Sequence, residues 1–224
     1  MSLAMLLSGE GPRDKLLTRG ASALSDAELL SVLLGTGYQQ CSAVQLARDL
    51  LHHFGDIGAV LRAGHEALMC QKGMGPAKSA QLVAAMELAR RQALQRLNET
   101  DVLSSPADTR RFLQYHLGSR EREVFSCLFL DSQHRVLACE DLFFGTLDGA
   151  AVYPREVAVR ALKLSAAAVI FAHNHPSGVA EPSAADKRIT QRLRSALALF
   201  DIRVLDHIIV GTGCEFSFAE QGLL

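Results

Sequence analysis

Up to Asn98 the apolar positions recur at helical spacing, and strand-like alternation is missing from this whole stretch. Ser25 is placed to cap a helix that begins DAELLSVLLG and stops at Gly35, with acidic Asp26 and Glu28 in its first turn. SAVQLARDLLHHF predicts a second helix, from Ser42 to just before Gly55, and a third covers Ile57–Arg62. A short one, HEALMC, starts near His65. After a glycine-rich turn, PAKSAQLVAAMELARRQALQRL predicts a long helix over 76–97, with Pro76 suited to a first helical position.

The texture then changes. NETDVLSSP, over 98–106, is polar and ends in a proline, which marks a boundary. A helix over 107–117 is followed by strand signals, VFSCLFLD from Val124 and RVLACEDLF from Arg135. YPREVAVRALKLSA, from Tyr153, predicts a helix, and the apolar run AAVIFAH ends at His173. A long helix over 184–200 precedes two more strands, IRVLDHIIV and EFSFA. The expected organisation is an all-α domain over 1–98, a linker over 99–105 and an α/β domain over 106–224.

Composition narrows the class. A hydrophobic fraction of 49% against 21% charged supports buried cores and argues against disorder. The net charge of −1 gives no guide to partners, although 1–98 holds ten Lys/Arg against eight Asp/Glu and the rest thirteen against sixteen. Five widely spaced cysteines without a CxxC pair fit reduced thiols in the cytoplasm. Neither a signal peptide nor an apolar run of membrane-spanning length stands out, so no membrane partner is expected.

Candidate chemistry gathers in HNHPSGVAEPSAAD, residues 173–186. In extended backbone His173 and His175 face the same way, so both imidazoles can converge on one ion. Pro176 turns the chain, and Ser183 and Asp186 open the next helix, where a carboxylate in the first turn can point back at the strand end. Two imidazoles and a carboxylate leave the fourth position of a tetrahedral Zn²⁺ site for water. Ser183 and Asp186 also satisfy S-x-x-D, a capping box that needs no metal, and the two roles are compatible. A zinc nucleobase deaminase is excluded by the absence of a PCxxC element. A two-metal nuclease would want more clustered carboxylates.

H-x-H-P, six residues, then S-x-x-D resembles the signature of the JAMM (MPN-type) metalloproteases, and HNHPSG…PS…D resembles the RadC family, whose members carry such a domain. GPRDKLL, ALSDAELL, SAVQLARDLL, PRE at 154–156, AHNHPSG and LDHIIVG extend that resemblance over nearly the whole chain. It implies a cytidine-deaminase-like C-terminal fold, a mixed central sheet flanked by helices. It further implies one zinc per chain on His173, His175 and Asp186, and a metallopeptidase or isopeptidase cutting a peptide or protein substrate. The general base of JAMM enzymes, a glutamate just before an apolar strand, matches Glu123, with Glu121 as rival. Ser183 resembles the serine that hydrogen-bonds the oxyanion or water. Asp206 and His207 are candidates for supporting a ligand imidazole, and Arg155 and Glu156 for contacting substrate or tying a helix start to the sheet.

KGMGPAKSAQL resembles the glycine turn of helix-hairpin-helix DNA-binding modules. Gly73 and Gly75 would let backbone amides approach a phosphate, and Lys72 and Lys78 would add charge without reading sequence. The alternative to the enzyme is therefore a DNA-associated, repair-linked module whose zinc domain is structural or recognises a partner without turnover. An intact Glu123 and Ser183 favour the enzyme.

Overall fold

A computed structural model describes residues 11–99, 102, 105–145 and 152–224. The chain divides into two compact units, Met1–Leu88 and Ala89–Leu224. The linker expected over 99–105 falls in part on residues outside those described.

The first unit is helical: α1 (Pro12–Arg19), a 3-10 turn (Ala21–Ala23), α2 (Asp26–Leu34), α3 (Ala43–Phe54), α4 (Ile57–Arg62), α5 (His65–Met69) and the first half of α6 (Pro76–Glu99). Side chains close the helix starts where the sequence places them. Ser42 accepts the Gln45 N–H at 3.1 Å, and Asp56 accepts that of Ala59 at 2.6 Å. Each such cap is worth about 1 kcal/mol. Leu46 and Leu50, one turn apart on α3, are buried with Leu30, Leu34, Val60, Leu68 and Leu82 in the unit's core. Gly73 sits in the turn before α6 at φ +85°, where a Cβ would lie 2.0 Å from the Tyr38 ring, so only glycine fits.

The second unit is α/β. It holds α7 (Pro106–Leu117), β1 (Val124–Leu130), β2 (Val136–Phe144), α8 (Pro154–Lys163), β3 (Ala168–Asn174), α9 (Ala184–Ala198), β4 (Arg203–Val210) and β5 (Glu215–Ser217). The strands form one mixed sheet in the order β2-β1-β3-β4-β5. Only β3 and β4 run parallel, on either side of helix α9 in sequence; the other pairs are antiparallel. Both β1 and β3 are buried along their whole length, which is why they read as unbroken apolar runs.

Helices cover both faces of the sheet. On one, α7 places Phe112, Leu113 and Leu117 over Leu128, Ile170 and Ile208, with Ala93 and Leu97 of α6 in the same core. On the other, Val157 and Ala161 of α8 and Leu193 and Leu197 of α9 pack on Phe125, Phe129 and Phe171. Burying each large side chain of this kind contributes about 1.5–3 kcal/mol. His173 and His207 lie buried in the same sheet as polar exceptions, and such groups persist only with partners.

Candidate metal centre

β3 ends in His173 and Asn174, and the chain leaves the sheet at His175. Its exit is fixed by His175 N–H donating to Val210 O at 2.9 Å and by a turn in which Gly178 N–H donates to His175 O at 2.9 Å. Gly178 lies at φ +83°, with Thr212 Oγ1 only 2.7 Å from where a Cβ would stand. The turn thereby brings Val179 O to 2.8 Å from His175 Nδ1.

His173 Nε2 and His175 Nε2 stand 3.0 Å apart. Asp186, in the first turn of α9, presents Oδ1 at 3.3 Å from His173 Nε2 and Oδ2 at 3.6 Å from His175 Nε2. Bonds of about 2.0–2.2 Å to a tetrahedral zinc imply donor–donor edges of about 3.3–3.6 Å, so the spacing suits that ion. Among the described residues this is the one His/Cys/Asp/Glu group that could hold a metal ion.

Hydrogen bonding settles which nitrogens carry protons. Thr190 donates its hydroxyl to Asp186 O at 2.6 Å, so at 2.6 Å from His207 Nδ1 it must accept from that nitrogen. Burial, followed by the charge of His173, drives the His207 pKa far below its ordinary value and keeps this imidazole neutral. His207 Nε2 then accepts from His173 Nδ1 at 2.8 Å, so a neutral His173 carries its lone pair on Nε2. His175 Nδ1 faces a carbonyl that can only accept, so a neutral His175 carries its lone pair on Nε2 as well. In that form two imidazole lone pairs and a carboxylate converge, an arrangement that a cation satisfies.

Asp186 divides its work between its oxygens. Oδ2 accepts Ser183 N–H at 2.7 Å and Ser183 Oγ–H at 2.6 Å, completing a capping box with Asp186 N–H at 3.1 Å from Ser183 Oγ. Oδ1 faces His173. Burial acts to raise the Asp186 pKa, but His173 and Ser183 outweigh it and hold the carboxyl below its usual range. The cap and the cluster therefore coexist.

Family models match at both ends of the chain: a RadC-like JAB domain over residues 103–223 and a UPF0758 N-terminal domain over residues 4–80. The chain belongs to the RadC (UPF0758) family. Similar UPF0758 proteins include one from Photobacterium profundum, 56% identical over 100% of both chains. Another from Nitrosococcus oceani is 59% identical over 96% of each, and one from Thioalkalivibrio sulfidiphilus is 58% identical over 96% of each.

Other residues of this RadC-family chain fall into place around the cluster. Phe125 pairs with His173 across β1 and β3, their rings 6.2 Å apart and nearly parallel. Glu123, half-buried, immediately precedes β1, two residues before Phe125. Glu121, further along, is exposed in a bend. Asn174 pins this segment: its Oδ1 accepts Val124 N–H at 2.9 Å, and its Nδ2 donates to Arg120 O and Arg122 O at 3.1 and 3.0 Å.

Of the pair considered in LDHIIVG, His207 alone reaches the cluster. Asp206 turns to the opposite face, accepting Ser217 Oγ–H at 2.6 Å and Ala219 N–H at 2.9 Å. Arg155 is 85% exposed and pairs with Glu156 at 3.0 Å. In the first unit Lys78 donates to Gly37 O and Gly73 O at 3.0 and 2.9 Å, which ties the turn together instead of offering the ammonium to a phosphate. Lys72 lies 5.6 Å over the Tyr38 ring. Gly73 takes the positive φ expected of the turn and Gly75 does not.

Thr190 and Asn174 are the functional side chains the sequence reading passed over. Each had a signal. Thr190 sits one helical turn after Asp186 on the buried stripe of α9, and Asn174 is a polar residue held inside a buried strand.

Proposed function

We propose that this RadC-family chain is a zinc-dependent amide hydrolase, a peptidase or isopeptidase acting on a peptide or protein. The observation that carries the reading is the convergence of three metal-ligating side chains, His173, His175 and Asp186, with the ring tautomers fixed by Val179 O and by the Thr190–His207 chain. These residues would hold one zinc ion. Bound there, zinc supplies Lewis acidity, which polarises a carbonyl and lowers the pKa of a water.

The remaining steps belong to the chain's own side chains. Glu123, just before β1, takes a proton from water at its carboxylate and returns it to the leaving amine. Asn174 holds the 120–124 backbone and so sets where that carboxylate can reach. Ser183 rotates its hydroxyl from Asp186 Oδ2 to the developing oxyanion, a contribution of about 10²-fold or more in rate.

The test is to load the chain with zinc, incubate it with a proteome, and map new termini and freed lysines. Glu123→Gln should keep its zinc and lose the cleavage. Cleavage unchanged in that variant removes Glu123 from the base role. A zinc-loaded wild type that cuts nothing moves the reading to a binding module without turnover.

Sequence-independent DNA contact by the first unit is a separate proposal, resting on Lys72 beside the Gly73 turn. A salt-dependent shift of labelled DNA by the full chain supports it, and no shift at low salt removes it. Five free cysteines support a reducing, cytoplasmic setting. Among the described residues no helix is long and apolar enough to cross a membrane.

A further inference from the structure

On the face of β4 turned away from the metal cluster lies a cavity of about 150 Å³. Its polar lining is Thr109 and Arg110 of α7, Asp206 of β4, Ser217 of β5 and Glu220; its apolar lining includes Ile170, Leu205 and Ile208. A β-bulge builds it. Val169 pairs with Val204 but Ile170 pairs with Asp206, so Leu205 is an extra residue, and Leu205 and Asp206 both turn to the cavity.

Two polar groups in this cavity are incompletely matched. Thr109 is 2% exposed, and its hydroxyl has no hydrogen-bond partner. Buried hydroxyls in that state are rare and call for a missing partner. Asp206 accepts N–H groups of His207 and Ala219 and the Ser217 hydroxyl, all neutral donors. Among the described residues no cation pairs with it, since Arg110 is engaged by Glu220 and Glu215. Burial raises the Asp206 pKa despite those hydrogen bonds, and the charge of Glu220 adds to the rise. A carboxylate satisfied in hydrogen bonds but not in charge attracts a cation.

The walls choose the kind of cation. A bare metal ion would want oxygen ligands on several sides, whereas this cavity is largely aliphatic. A cavity of this size accommodates about six non-hydrogen atoms. We propose that it binds a small aliphatic primary ammonium ion, with the ammonium between Asp206 and Thr109 and the carbon chain against Ile170, Leu205 and Ile208. A free alkylamine and the end of a protein lysine side chain share that chemistry.

Methyl NMR of the full chain tests it, by titrating n-butylammonium and Nα-acetyl-lysine amide alongside neutral n-butanol and anionic butyrate. Saturable shifts of the Ile170 and Ile208 methyls with n-butylammonium are expected, with n-butanol and butyrate weaker by about tenfold or more. Binding of the lysine derivative as well identifies a protein lysine as a source; binding of the alkylamine alone identifies a free amine. Thr109→Val and Asp206→Asn should each weaken n-butylammonium by about tenfold. If one variant fails to fold, the other and the butanol comparison still decide. Equal binding of n-butanol, unchanged binding in the folded variants, or no methyl shift overturns the proposal.

Discussion

At the start of α2, Glu28 N–H donates to Ser25 Oγ while Ser25 N–H donates to the Glu28 carboxylate at 2.8 Å. At the start of α9, Ser183 and Asp186 make the same reciprocal pair. The difference lies in what the rest of the carboxylate meets. Glu28 meets the Lys15 ammonium at 3.0 Å, a surface ion pair that needs nothing more. Asp186 meets the Nε2 atoms of two imidazoles, at 3.3 and 3.6 Å. One local motif thus serves as a plain helix cap in the first unit and as part of a donor cluster in the second. Histidines supplied by a neighbouring strand end make the distinction.

Removing the carboxylates should separate the two most sharply. Asp186→Asn should drop zinc content from about one per chain to near none, by the ligand count of such sites, while Glu28→Gln leaves it unchanged. Metal analysis of the purified variants reads this directly, and equal zinc in both erases the distinction. Next in size is the partner chain behind His173. Thr190→Val removes the acceptor that fixes His207, and zinc affinity should fall about 10–100-fold in a competition titration with a chelator. Behind Glu28, Ser31 likewise donates its hydroxyl to the backbone carbonyl at 2.7 Å, but the Glu28 carboxylate is met by Ser25 and Lys15.

Smaller effects follow at the serines. Ser25→Ala and Ser183→Ala should each cost about 0.5–2 kcal/mol of unfolding free energy in denaturant titrations. Only Ser183→Ala should also slow amide hydrolysis with zinc retained. The smallest effect is a pH dependence. Hydrogen bonds from the Ser25 backbone, then Lys15 and the Ser25 hydroxyl, lower the Glu28 pKa to about 2 from an ordinary 4.5. A lowered pKa stabilises the fold at pH above the ordinary value, and that stabilisation fades as pH falls from 4.5 through 2. The stability difference between wild type and Glu28→Gln should therefore be flat from neutral pH to about pH 5 and vanish near the lower value. A difference that grows on acidification would contradict the assignment.

Much of this was legible before any coordinates, for local reasons. Ser25, Ser42, Gly35 and Gly55 mark helix ends through their own backbone chemistry, and the structure ends helices beside each of them. The histidine pair was legible because an apolar run ending in two polar residues has few explanations. The role of LDHIIVG was legible only in part: both Asp206 and His207 were candidates to support a ligand imidazole, and only His207 reaches His173. Strict alternation from Val204 would send Asp206 to the metal face and His207 away from it; the bulge at Leu205 reverses that parity. No residue type in the segment announces the bulge. The carbonyl partners of Lys78 were not legible for a related reason, because Gly37 O and Gly73 O belong to turns brought together only by the fold. The helix-hairpin-helix likeness of the first unit rests on the same turn, which Lys78 and Tyr38 close from within.

The account stands on the claim that His173, His175 and Asp186 share a metal ion. Zinc K-edge X-ray absorption of the purified, zinc-loaded chain measures that directly. The expected first shell is nitrogen and oxygen at about 2.0–2.2 Å, with the outer-shell scattering of two imidazoles and no sulfur. A sulfur shell at about 2.3 Å, placing zinc on the cysteines, or a chain that takes up no zinc, would contradict it.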